Sequence, residues 1–204
     1  MMSTGSFATR SSRITNLLVA GVCLLAATAH AEPSMWVVRD SDSTIYLIGT
    51  VHVLKPDMVW NSEKVTKAIA ESGELWLELK DDDDQAKALA LLKKYGVDPA
   101  KPLSKKLNAK HSAKLTRVSK TYGIPAPVLE PLKPWAAAIM LTGMQLQKAG
   151  YNEKFGVDKI LKTQAEKEGD KVKAFETMEQ QIRFFADLPE KEQIGGVLIW
   201  IGVR

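Results

Sequence analysis

Cysteine is almost missing from this sequence: Cys23 is the only one in 204 residues. A single cysteine excludes an intrachain disulfide framework and a cysteine-based zinc site. Histidine is scarce as well, at His30, His52 and His111. Charge of one sign is also lacking. The net +4, from 28 basic and 24 acidic residues, is too small to imply a nucleic-acid partner. There is no glycine-rich phosphate loop, no H-E-x-x-H and no G-x-S-x-G. Neither an internal repeat nor a low-complexity linker interrupts the chain. What is present, 45% apolar and 25% charged residues, is the composition of a globular protein, and the length suits one domain or one domain plus a tail.

The first 31 residues read as a separate object. Arg10 and Arg13 form a positive n-region, Ile14 to Thr28 is largely apolar, and Ala29-His30-Ala31 is a small-x-small cleavage site. This is the pattern of a secretory signal peptide. The run is short and alanine-rich for a membrane span, which needs about 20 strongly apolar residues, so cleavage is expected, with an uncleaved anchor as the rival reading. A lipoprotein is excluded because Val22 precedes Cys23 where a small residue is expected. Cleavage after Ala31 gives an exported protein, periplasmic or secreted, of residues 32–204. That mature chain has 173 residues and, without Arg10 and Arg13, a charge of +2. It retains no cysteine and only His52 and His111, so a three-histidine zinc site within one chain is excluded.

Two β-prone runs, Met35 to Arg39 and Thr44 to Ile48, flank the polar turn Asp40-Ser41-Asp42-Ser43 and predict a hairpin. Helical spacing predicts a helix from Ser62 to Ser72 with Asn61 as cap, and others to Tyr95, over Asn108–Tyr122 and over Trp135–Lys148. Pro134 suits the first turn of the last of these. Leu75 to Leu79 and Val172 to Phe175 read as further strands. Asp158 can cap the helix that ends near Gly169, and Thr177-Met178-Glu179-Gln180 is a capping box. Helices between strands permit parallel pairing, so the expected fold is a single α+β (α/β-like) domain with a mixed sheet, an N-terminal hairpin and helical crossovers.

Three of these strands end in a side chain of ligand type: His52 after Gly49-Thr50-Val51, Glu78 within Leu75-Trp76-Leu77-Glu78-Leu79, and Glu176 after Phe175. In open α/β sheets, ligands bind at the carboxyl ends of the strands. A carboxylate in so apolar a strand as that of Glu78 is costly unless paired or bound to a cation. One imidazole with carboxylates suits Mn²⁺, Fe²⁺ or Co²⁺, and such an ion lowers the pKa of its water from about 15.7 towards 7. Each residue also has an ordinary reading. A strand-end histidine can be a hydrogen-bonded structural residue, and Glu179 can simply complement a helix dipole. His111 falls on the apolar face of its helix and reads as packing.

Lys101, Lys105, Lys106, Lys110, Lys114, Arg117 and Lys120 form a basic stretch with no acid between Pro99 and Leu129. Lys106, Lys110, Lys114 and Arg117 recur at helical spacing and predict one stripe. It is either a solvated face or a contact with an anionic envelope surface such as headgroups or polysaccharide.

In this order the segments Tyr46-Leu47-Ile48-Gly49-Thr50-Val51-His52, Leu75-Trp76-Leu77-Glu78-Leu79, Lys133-Pro134-Trp135, Gly156-Val157-Asp158 and Phe175-Glu176-Thr177-Met178-Glu179-Gln180-Gln181 carry a resemblance. The chain resembles the TraB/GumN family, which includes the Tiki proteins, over residues 35–193. The resemblance implies a metal-dependent hydrolase, peptidase-like, using Mn²⁺ or Co²⁺ and acting on a peptide or protein substrate. It implies a metal role for His52, a metal or catalytic role for Glu78, and a supporting role as ligand or general base for Glu176 or Glu179. Family members also carry an Arg-Asn element and a second G-x-x-H near the C-terminus. This sequence has neither and ends Gly195-Gly196-Val197-Leu198-Ile199-Trp200-Ile201-Gly202-Val203-Arg204, which reads as a truncated or frame-shifted product and leaves its activity open. The rival expectation is a non-catalytic periplasmic binding or accessory protein for envelope polysaccharide or protein partners.

Overall fold

Met35–Arg39 (β1) and Thr44–Ile48 (β2) pair antiparallel, with Trp36 opposite Leu47 and Val38 opposite Ile45. The turn between them is held by the Asp40 carboxylate. It accepts hydrogen bonds from the Ser43 amide at 2.7 Å, the Ser43 hydroxyl at 2.8 Å and the Asp42 amide at 3.2 Å. The computed structural model describes residues 33–202, so the signal-peptide reading of residues 1–31 lies outside the described residues.

Helices make up most of the chain after this hairpin. Glu63–Ala70 (α1) is capped by Ser62 rather than by Asn61, because it is the Ser62 side chain that accepts from the Val65 amide. Glu74–Leu77 (β3) leads to Gln85–Tyr95 (α2), capped by Asp84 and closed at Gly96. Leu103–Lys106 (α3) is one short turn, and Ala109–Thr121 (α4) starts on the Asn108 cap. After the turn Ala126–Leu129 (α5), Pro134–Lys148 (α6) opens with proline in its first turn. A 3₁₀ turn, Glu153–Phe155, precedes Val157–Glu168 (α7). Lys171–Ala174 (β4), Met178–Ala186 (α8) and Glu190–Trp200 (α9) complete the order. The capping box is present as expected: the Thr177 hydroxyl accepts from the Gln180 amide, and the Gln180 side chain accepts from the Thr177 amide.

The α+β expectation holds, with one correction to the sheet. β3 and β4 pair in parallel, Glu74 opposite Lys171 through Leu77 opposite Ala174, but β2 does not join them. Two separate two-stranded sheets result among the described residues. The backbone groups beyond the end of β2 are spent elsewhere. The Val51 carbonyl accepts from the Val157 amide at 2.9 Å, and Leu54 exchanges hydrogen bonds with Asn152 at 3.2 and 2.9 Å.

Residues Glu32–Arg204 group into one compact unit. Its larger core is built on α6, whose Ala137 and Leu141 are fully buried, against Val197 and Ile201 at the C-terminal end and Leu103, Leu115 and Leu129. The apolar run Gly195 to Ile201 is therefore mostly helix α9 packed on α6. A smaller cluster gathers Leu54, Val157 and Leu161, with Trp60, Ile69 and Leu75 packed against it. Burying a side chain such as Leu161 contributes about 1.5–3 kcal/mol. No helix among the described residues is long and apolar enough to cross a membrane.

Candidate functional site

Two of the expected site residues come together. His52 comes after β2 on the Gly49-Thr50-Val51 turn, and Glu78 is the first residue past β3. The His52 Nε2 lies 3.7 Å from Glu78 Oε2, beyond hydrogen-bonding distance. Both side chains are well exposed, at 67% and 65%. The other ring nitrogen, Nδ1, lies 2.9 Å from Asp158 Oδ2 on the first turn of α7. This contact holds the imidazole above its ordinary pKa, with the fields of Asp158, Glu78 and Asp82 adding to it against partial burial.

Asp158 corrects the sequence reading. It does not cap its helix: the N-cap is Gly156 and no side chain caps there. The carboxylate turns instead to His52, and it is only 19% exposed, with Oδ1 buried and without a partner. Gly156 allows the approach. A Cβ built on it would fall 2.8 Å from the His52 carbonyl carbon and closer still to the carbonyl oxygen.

The carboxylates from the β4 side divide. Glu176 lies beside Glu78 through the backbone, its amide donating to the Glu78 carbonyl at 3.1 Å and so extending the β3–β4 ladder. Its side chain lines an open cleft of about 420 Å³ with Trp76, Lys173 and Phe175. Glu179 is engaged away from His52. It accepts from Tyr95 Oη at 2.5 Å and Lys94 Nζ at 2.9 Å, which tie α8 to α2 and hold its carboxyl below the usual range. The residue of α8 that reaches Glu78 is Gln181, whose Nε2 donates to Glu78 Oε2 at 3.1 Å. Gln181 is the last residue of the motif that begins at Phe175, but the sequence assigns it no role.

His52 and Glu78 would make part of a donor set for a divalent cation. His52 offers Nε2 with a carboxylate behind Nδ1, the usual surroundings of a metal-binding imidazole, and Glu78 faces the same nitrogen. His52, Glu78 and Glu176 do not converge as a triad, however. Among the described residues no group of three or more histidine, cysteine, aspartate or glutamate side chains is placed to hold an ion. What is present is a histidine facing Glu78, with a second carboxylate, Asp158, on its other ring nitrogen.

The basic stripe is broken. Lys106 ends α3, Leu107 is extended at φ −106° and ψ 151°, and Asn108 caps a new helix, so helical spacing does not run through. The Lys106 side chain is 5% exposed and paired with Asp98 at 3.1 Å and Glu190 at 2.6 Å. Lys114 Nζ donates to the Gly202 carbonyl at 3.0 Å, while Lys110 and Arg117 are exposed. His111 is half-buried on α4.

These features define a single-domain α+β protein with a histidine–carboxylate pair between the end of β2 and the end of β3. A protein-family model described as the TraB/PrgY/gumN family matches residues 34–197, and the chain belongs to that family. Comparison with curated proteins found no match, and comparison with solved structures found none either.

Proposed function

We propose that this TraB/PrgY/gumN family member is an exported metal-dependent hydrolase, acting on peptide bonds, with His52 and Glu78 as donors to Mn²⁺ or Co²⁺. The observation that carries the reading is the His52 ring itself. Asp158 occupies Nδ1 at 2.9 Å, and Nε2 faces Glu78 Oε2 across a gap too long for a hydrogen bond. A lone pair held in place but unspent suits a cation donor. Gln181 Nε2 donates to Glu78 Oε2, the same oxygen that faces His52, and steadies that carboxylate. An ion bound there supplies Lewis acidity and lowers the pKa of water towards about 7. Glu176 follows β4, next to Glu78 through the backbone and lining the neighbouring cleft, and is assigned the supporting role of base or further donor.

Calorimetric titration of the protein with Mn²⁺ and Co²⁺, beside His52→Ala, tests this. Saturable binding in the native chain and its loss in the variant are expected, with peptide hydrolysis showing the same pattern. Binding unchanged by His52→Ala would remove the donor assignment.

A further inference from the structure

The segment from Asn152 to Asp158 is tied to the loop that carries His52 through Asn152, Gly156, Val157 and Asp158. Leu54 pairs with Asn152 in both directions, and the Val157 amide donates to the Val51 carbonyl. Gly156 lies flat against the His52 carbonyl, and Asp158 reaches the ring. Gly156 has φ −57° and ψ 137°, a backbone open to any residue. Glycine is therefore required there for the close approach alone.

We infer that Asp158 and Gly156 are positioning residues which fix the tautomer and orientation of the His52 imidazole, with Nδ1 protonated and the Nε2 lone pair turned to Glu78. An ionised carboxylate only accepts hydrogen bonds, so the nitrogen against it carries the proton. In the neutral ring the other nitrogen is then the one with a lone pair. Nothing in the turn itself imposes this choice, because His52 is mostly exposed and Glu78 stands too far from Nε2 to accept a hydrogen bond. The choice is made by α7, more than a hundred residues along the chain. The purpose assigned to it, presenting Nε2 to a cation, rests on the function proposed above; the tautomer itself does not.

The full-length protein, labelled with ¹⁵N and free of metal, is read by long-range proton–nitrogen correlation at a pH where the ring is neutral. His52→Gln identifies the His52 signals by their loss. The expected native spectrum has Nδ1 protonated and Nε2 bare. Asp158→Ala is expected to move the proton to Nε2, and Asp158→Asn to keep it on Nδ1, since the amide oxygen still accepts. A merely structural Asp158 would alter thermal stability and leave the tautomer alone. A native ring protonated on Nε2, or a tautomer unchanged in Asp158→Ala, overturns the inference. If Asp158→Ala fails to fold, the native and Asp158→Asn spectra decide it. Parallel Mn²⁺ titrations are expected to show affinity falling about 10- to 100-fold in Asp158→Ala. A protein with the expected tautomer that binds no Mn²⁺ supports the positioning role and removes the cation reading. One that binds Mn²⁺ with the other tautomer does the reverse.

Discussion

At the scale of single residues, the site depends on one missing side chain. An alanine at position 156 would keep its backbone angles but place a methyl inside the van der Waals radius of the His52 carbonyl. Backbone atoms cannot swing aside as the end of a lysine can, so the His52 turn must move. Gly156→Ala is expected to cost about 1–3 kcal/mol in urea unfolding, the usual range for overpacking, and to separate His52 from Asp158. Gly169 behaves differently: its φ of 84° is left-handed and its Cβ position is open, so a substitution there is opposed by backbone conformation alone. The sequence named Gly156 and Asp158 as parts of a motif but could not say what they touch. An aspartate near a helix start serves as cap or as partner to a distant group with the same chemistry, and only its surroundings choose.

At the scale of elements, local devices were readable and short or tertiary ones were not. The hairpin turn and the Thr177–Gln180 capping box involve groups within three residues of each other. The hairpin turn also gives a pH prediction. The Ser43 hydroxyl and the Asp42 and Ser43 amides hold the Asp40 carboxyl at about 2, below its ordinary 3.8. A lowered folded value means that ionised Asp40 supports the turn fully above about pH 4 and that this support is lost as pH falls through about 2. The Ser43 amide resonance is expected to titrate with a midpoint near 2. A midpoint near 3.8 would show that the carboxylate does not hold the turn. Helix α9 was not legible in Gly195-Gly196-Val197-Leu198-Ile199, whose glycines and β-branched residues favour other structure. Its burial against α6 outweighs that preference.

At the scale of the whole molecule, the two hydrophobic clusters divide the work. The large one around α6 holds most of the helices together. The small one contains Val157, next to Asp158, and Leu54, two residues from His52, so it supports the site. Leu141→Ala and Leu161→Ala are each expected to cost about 2–5 kcal/mol in denaturant unfolding. Only Leu161→Ala is expected to shift the His52 ring signals. An equal shift in Leu141→Ala would show that the site depends on the large core as well. The broken stripe has a separate cause in ion pairing. Lys106 is drawn inward to join Asp98 and Glu190, near the start of α9, and is lost to the surface.

The sequence by itself determined the class of fold, most of the long helices, the four strands among the described residues, the family and the pairing of His52 with Glu78 as candidates. These rest on periodicity, caps and motifs, which act over a few residues. Only the tertiary structure decided that β2 stands apart from β3 and β4, that Asp158 serves His52, that Glu179 is held by Tyr95 and Lys94, and that Gln181 reaches Glu78. A carboxylate, an amide or a backbone carbonyl can satisfy several partners equally well, and which partner it meets is settled by where the chain folds back.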